Sequence, residues 1–174
     1  MEMKYCMQCG TLLHIKEHPT EGPTPYCDCC EAYRYPVFNT AVSMIVTNPD
    51  QSRVILIRQY GKPLYVLVAG YVNKGEDAED AAVREVMEEI GLTVHRVHFN
   101  RSHYYARSNT LMLNFTVTVD DTEAHPNWEV DDWSWFSVEE ARQKIRPSSL
   151  AAVFLNGYFD GEYHFENFRP DIYR

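Results

Sequence analysis

Two groups of residues in this 174-residue chain have types and spacings that could do chemistry. Cys6-x2-Cys9 and Cys27-x2-Cys30 are two hooks separated by 17 residues. That spacing lets four thiolates converge tetrahedrally on one zinc ion at about 2.3 Å each. Cys29 offers an alternative second hook, but pairing it with Cys27 leaves one residue between ligands, tighter than the usual knuckle, and Cys30 is preferred. His14 and His18 lie between the hooks and are read as surface histidines, since four cysteines already complete the set. The other reading is cysteines left free or joined as disulfides, and the paired spacing argues against it.

The second group is Glu85, Glu88 and Glu89. On a helix of 3.6 residues per turn they stand at i, i+3 and i+4, so three carboxylates crowd one face within one turn. Like charges there repel, and two environments tolerate them: open solvent, or a hard divalent cation that prefers oxygen ligands. The triplet alone does not separate the two.

Composition bounds the rest. A chain of 20.3 kDa with 45% hydrophobic and 24% charged residues is long enough for one domain with a small appendage and too apolar for disorder. Its formal charge of -9 disfavours sequence-independent contact with long nucleic acids. No apolar run reaches the roughly 20 residues of a membrane helix. Met1 to Gly10 lacks a signal-peptide pattern, and all five cysteines fall in the first 30 residues, which suits a local metal site in a reducing, cytoplasmic setting.

The elements that must position these groups follow from periodicity. Residues 1–36 are rich in Cys, Pro, Gly and His, with no persistent period, and read as a small knob in which metal binding supplies most of the folding free energy. From Val37 the apolar runs Ala41–Val46, Val54–Ile57 and Leu64–Val68, separated by Asn48-Pro49-Asp50 and Gly61-Lys62-Pro63, predict short strands. Asp77 to Ile90 predicts the clearest helix, with an Asp77/Asp80 capping box and a stop at Gly91. Val94–Tyr105, Leu111–Val119 and Trp128–Phe136 predict further strands, the second presenting Leu111, Leu113, Phe115, Val117 and Val119 on one face. Ser137 to Glu140 has a capping-box pattern, and Ser148–Phe159 predicts a last helix. The expected class is α+β with a mixed sheet, divided as 1–36, 37–160 and a tail 161–174.

Gly70-x5-Glu76-x7-Arg84-Glu85-Val86-Met87-Glu88-Glu89-Ile90-Gly91-Leu92 matches the full signature of the Nudix hydrolases. Structural reasons accompany it: Gly70 is expected to allow a tight turn, Arg84 to pair with Glu76 and fasten the loop to the helix, and Gly91 to end the helix. The resemblance implies an α/β/α sandwich, and hydrolysis of a diphosphate linked to another moiety with Mg2+ or Mn2+ held by Glu85, Glu88 and Glu89. One of these carboxylates, or a Glu from a neighbouring loop, would accept the proton of the attacking water.

A four-cysteine zinc ribbon directly before such a domain resembles the NADH pyrophosphatase branch, which includes NAD-capped RNA decapping. Tyr35-Pro36 resembles that branch's Tyr-Pro, whose tyrosine contacts substrate. Ala69-Gly70-Tyr71-Val72 is similar to its Ala-Gly-Phe-Val, in which the Ala69 carbonyl would help bind metal. The stretch from Glu129 to Phe136 resembles its Glu-Ile-x-Glu-Ala-x-Trp-Phe, making Glu129 a further metal ligand or base, and Ser149-Leu150-Ala151 resembles its Ser-Ile-Ala, placing Ala151 near substrate.

The likeness runs from about Cys6 to about Leu155 and breaks at two places. The branch's long N-terminal domain has no counterpart, which leaves homodimer formation open. Its diagnostic Ser-Gln-Pro-Trp-Pro-Phe-Pro-x-Ser is replaced by Ser102-His103-Tyr104-Tyr105-Ala106-Arg107-Ser108-Asn109-Thr110. His103 and Arg107 could meet a phosphate, and Tyr104 and Tyr105 could stack on a base or be ordinary sheet residues. Asn73 stands where the branch has an acidic residue. The expected substrate is a small nucleoside diphosphate derivative, with NAD(H) or a related dinucleotide, ADP-ribose, a sugar nucleotide and a capped RNA end as candidates. A non-catalytic nucleotide-sensing module is the competing class.

Overall fold

The computed structural model describes residues 3–163, so most of the expected tail 161–174 lies outside the described residues. Three short strands open the chain: β1 (His14–His18), β2 (Gly22–Cys27) and β3 (Ala32–Tyr33), an antiparallel sheet in the order β1-β2-β3. Of residues 3–36 only Cys6, Thr24 and Cys27 are buried, while Tyr5, Met7, Leu12 and Ile15 face solvent. So small an apolar interior cannot offset the ordering entropy of the segment, and a second source of stability is required.

The larger unit is a mixed sheet built from β4 (Asn39–Thr47), β5 (Val54–Gln59), β6 (Val68–Tyr71), β7 (Val94–Tyr105), β8 (Thr110–Val119) and β9 (Val130–Phe136). Its order is β7-β8-β4-β5-β9, with β6 pairing the first half of β4. β4 and β8 run parallel, from Asn39↔Thr110 to Thr47↔Thr118, and the other pairings are antiparallel. β4 is buried along nearly its whole length because both its faces are covered.

Helix α1 (Ala78–Ile90) covers one face through Ala81, Ala82, Val86 and Ile90, which pack on Val42, Met44, Phe115 and Val117. Helices α2 (Val138–Lys144) and α3 (Leu150–Phe159) cover the other through Ala141, Ala152, Phe154 and Leu155, against Ile45 and Leu56. This is the expected α/β/α sandwich behind a small cysteine-bearing unit. No helix of the described residues is long and apolar enough to cross a membrane.

Three local expectations need correction. The strand placed at Leu64–Val68 forms later, as β6: after the Pro63 turn, Tyr65 and Val66 make only single bridges to Ile145 and Ile57 before the chain joins β4. Asp77 is the N-cap of α1, but its side chain makes no capping bond, whereas Ser137 and Glu140 form the complete capping box of α2. The first 36 residues, without sequence periodicity, nonetheless hold a three-stranded sheet.

Candidate active site and metal centres

The two cysteine hooks meet. The thiol sulfurs of Cys6, Cys9, Cys27 and Cys30 all lie within 4.8 Å of one another, with Cys6–Cys30 at 3.9 Å and Cys9–Cys27 at 3.5 Å. A tetrahedron of sulfurs at zinc distance has edges of about 3.8 Å, so the four residues fit the ion. Each hook is followed by a residue in the left-handed region, Gly10 (φ 76) and Glu31 (φ 50), which turns the chain away from the ligand cluster. Arg34 Nε donates to Cys6 Sγ at 3.2 Å, and this guanidinium lowers the Cys6 thiol toward the thiolate that a metal needs. Cys29 is exposed and stands outside the cluster, as do His14 and His18.

Arg84 organises the start of α1. Its Nε and Nη2 grip the two oxygens of Glu76 at 2.7 and 3.0 Å, Nη2 also reaches the Tyr71 carbonyl at 3.0 Å, and Nη1 donates to Glu85 and Glu88 at 2.8 and 2.9 Å. The Asn73 amide donates to the same Glu76 at 2.9 Å, so the loop after β6 is tied to the helix through one carboxylate. These contacts, the Arg84 bond first, hold Glu76 down to about 2. Glu76 is therefore occupied as a fastener, as the sequence suggested.

Gly70 has a different job from the expected tight turn. It lies inside β6, opposite Val42, and a Cβ there would overlap the carboxyl carbon of Glu85. The absence of a side chain at residue 70 lets the Glu85 carboxylate rest on the strand backbone, where a Cβ would push it aside.

Glu89 is the anomaly of α1: it points into the buried face and is 5% exposed. Burial pushes its carboxyl up to about 8, opposed by a bond from Gln59 Nε2 at 3.0 Å and reinforced by the charges of Glu85, Glu129 and Glu88. Glu129 belongs to the same electrostatic neighbourhood, and its carboxylate accepts from the Tyr60 hydroxyl at 2.7 Å. A half-buried set of carboxylates with so few cationic partners has the donor chemistry of a Mg2+ or Mn2+ site, where a divalent cation would turn the repulsion into attraction. The carboxylates do not close on a single point as the thiols do, because Arg84 draws Glu85 and Glu88 to itself.

Sequence reasoning missed Gln59 and Tyr60. They follow an apolar run, carry no motif, and reach Glu89 and Glu129 through a register shift in the β5–β9 pairing at Arg58/Gln59, with Tyr60 in the left-handed region (φ 56). Such a bulge re-aims side chains in a way no periodicity reveals.

Tyr35 and Tyr104 line one apolar cavity of about 450 Å³ with Met3, Pro25, Phe38 and Asn109, where the cysteine-bearing unit meets the sandwich. Asn109, at φ 51, caps the β7–β8 hairpin: its side chain accepts from the Tyr104 hydroxyl at 2.7 Å and donates to the Val37 carbonyl at 2.9 Å. The stretch 102–110 is thus the end of β7, a tight turn and the start of β8. Of the expected substrate residues, Tyr35 and Tyr104 come together. His103, Tyr105, Arg107 and Ala151 do not line that cavity, and Ala151 packs with the α2/α3 layer on the face away from α1.

The NUDIX domain model matches residues 37–154, more than half of the chain. The protein called NAD-capped RNA hydrolase NudC from Stutzerimonas stutzeri is 28% identical over 156 residues, covering 89% of this chain and 55% of the relative. The one from Vibrio parahaemolyticus is 27% identical over 154 residues, covering 88% and 58%. The chain therefore spans little more than half the length of these curated relatives. Among solved structures, a NUDIX hydrolase from Nitrosomonas europaea superposes with a TM-score of 0.68 at 21% identity over 94% of each chain, which shows a shared fold.

Proposed function

The chain belongs to the Nudix family, and from that premise we propose that it hydrolyses the diphosphate bond of a nucleoside diphosphate derivative in a Mg2+- or Mn2+-dependent reaction. The observation that carries this reading is the Glu85 carboxylate seated on the bare backbone of Gly70, with buried Glu89 next to it and no box carboxylate missing.

Glu85, Glu88, Glu89, Glu129 and the Ala69 carbonyl would hold the catalytic cation. When bound, the cation neutralises diphosphate oxygens and acidifies a water molecule. The chain's own residues do the positioning. Arg84 and Glu76 fix the loop between β6 and α1, Gln59 orients Glu89, and Tyr60 orients Glu129. Glu89 or Glu129 accepts the proton of the attacking water. The Tyr35/Tyr104/Phe38 cavity offers aromatic rings for a base, and Cys6, Cys9, Cys27 and Cys30 would hold a structural zinc that would fix the unit preceding Tyr35.

The names of the NudC relatives bring NAD-type dinucleotides and the NAD-bearing end of RNA forward as substrates. The charge of -9 favours the small molecule or a short capped end over long RNA contacts. A second reading, ADP-ribose or a sugar nucleotide, is favoured by the proline-free hairpin at 102–110. Incubating the protein with NAD, NADH, ADP-ribose, UDP-glucose and a short NAD-capped RNA, with and without Mn2+, tests the proposal. Chromatography should show nucleoside monophosphate products only with metal; no turnover of any compound refutes it.

A further inference from the structure

A cavity of about 350 Å³, apart from the tyrosine cavity, opens on the sheet face that α1 does not cover, and Arg96, Asn100, Thr116, Thr118, Tyr158 and Tyr163 are among the residues that line it. The registers Arg96↔Thr118 and His98↔Thr116 set these side chains on the opposite face of β7 and β8 from Val97 and Val117, which belong to the α1 core. Between Phe115, Val117 and Val119, the row on this face reads Asn114, Thr116 and Thr118, and Asn114 and Thr118 are buried. Polar groups kept from water need partners.

Those of the floor have them. Asn114 Nδ2 donates to the Ser43 carbonyl at 2.9 Å, Asn100 Nδ2 to Asn114 Oδ1 at 2.8 Å, Thr116 Oγ1 to Asn100 Oδ1 at 3.1 Å, and Thr47 Oγ1 to Thr118 Oγ1 at 3.1 Å. The floor is therefore set before a ligand arrives. Two groups around it are left over. Arg96 has no hydrogen-bond or ion-pair partner among the described residues, whereas His98 has one. The Tyr163 hydroxyl is buried against α3 at Gly157, where a Cβ would overlap it, and it too has no hydrogen-bond partner among the described residues. Arg101, opposite Asn114 in the same ladder, brings a second guanidinium near that hydroxyl.

An unpaired guanidinium calls for an anion, the tyrosine rings for a flat group, and the volume admits one mononucleotide and no dinucleotide. We propose that this cavity is a second binding site, for a nucleoside monophosphate whose phosphate meets Arg96, separate from the carboxylates of α1. The site stands whether or not the chain is a hydrolase. Isothermal titration calorimetry with AMP, adenosine and inorganic phosphate, without added divalent metal, tests it in wild type, Arg96→Gln, Arg96→Lys and Lys144→Gln, the last an equal charge change on α2. AMP should bind wild type and Lys144→Gln alike, bind Arg96→Gln about tenfold more weakly or worse, and recover most of its affinity in Arg96→Lys, while adenosine should be indifferent to residue 96. No binding of AMP to wild type, equal affinity in folded Arg96→Gln, or an equal loss in Lys144→Gln overturns the site. Inorganic phosphate binding as tightly as AMP would leave no place for a nucleoside and overturns it as well.

Discussion

The Glu85 carboxylate occupies the place that a Cβ on Gly70 would take, so a side chain at residue 70 would push it aside. A helix residue and a strand residue thereby meet beside the carboxylates of α1. Gly70→Ala must displace Glu85 without emptying the core. A shift of about 1 Å at such a group costs on the order of a hundredfold in rate. We expect kcat/KM to fall by about that factor while the circular dichroism spectrum and melting midpoint stay near wild type; a near-normal rate would show that the Glu85 position is not critical.

Glu76 makes acid stability a readout of the Arg84 clasp. Its folded value, about 2, lies below the ordinary 4.5, chiefly through the Arg84 bond. A depressed carboxyl stabilises the fold fully above its unfolded value, and that contribution is lost as pH falls from about 4.5 through about 2. Urea midpoints measured across this window should drop more steeply in wild type than in Glu76→Gln, which should be the less stable protein at neutral pH. Parallel curves would remove Glu76 from the account.

Much of this was legible because local chemistry dictates it. The paired cysteines, the Arg84–Glu76 clasp and the Gly91 cap depend on spacing within a turn or two, and β7 has the bounds its apolar and polar run suggested. What stayed hidden depends on distant geometry. Gly70 makes room for Glu85 rather than a turn, Gln59 and Tyr60 arrive through a bulge, and Tyr104 shares a cavity with Tyr35 where Asn109 ties the hairpin to Val37. The small β1–β3 sheet showed no periodicity because it buries almost no apolar face, and four cysteine sulfurs cluster in its unit instead.

Asn109 joins the cavity tyrosine to the linker in a backbone conformation glycine also adopts. Asn109→Gly keeps the turn and removes both side-chain bonds, each worth about 1 kcal/mol. The KM for a nucleotide substrate should rise about three- to tenfold with little change in kcat, measured by steady-state kinetics. No change would detach this cavity from substrate binding.

If the four thiols hold a metal ion, its removal with a strong chelator should act locally. Hydrogen exchange at amides of residues 14–27 should accelerate to the rate of an open chain, while β4, β8 and α1 stay protected, because the two units have separate interiors. Retained protection in the metal-free protein would mean that the four thiols are not what holds the small sheet.

The central claim is that the carboxylates around α1 grip a divalent cation against a diphosphate. The most direct test is Mn2+-dependent turnover of a dinucleotide by wild type, Glu88→Gln and Glu89→Gln, with folding checked by circular dichroism. The account predicts metal-dependent hydrolysis in wild type and losses of about a hundredfold or more in both folded variants. Wild-type rates in both variants, or hydrolysis indifferent to metal, would contradict it.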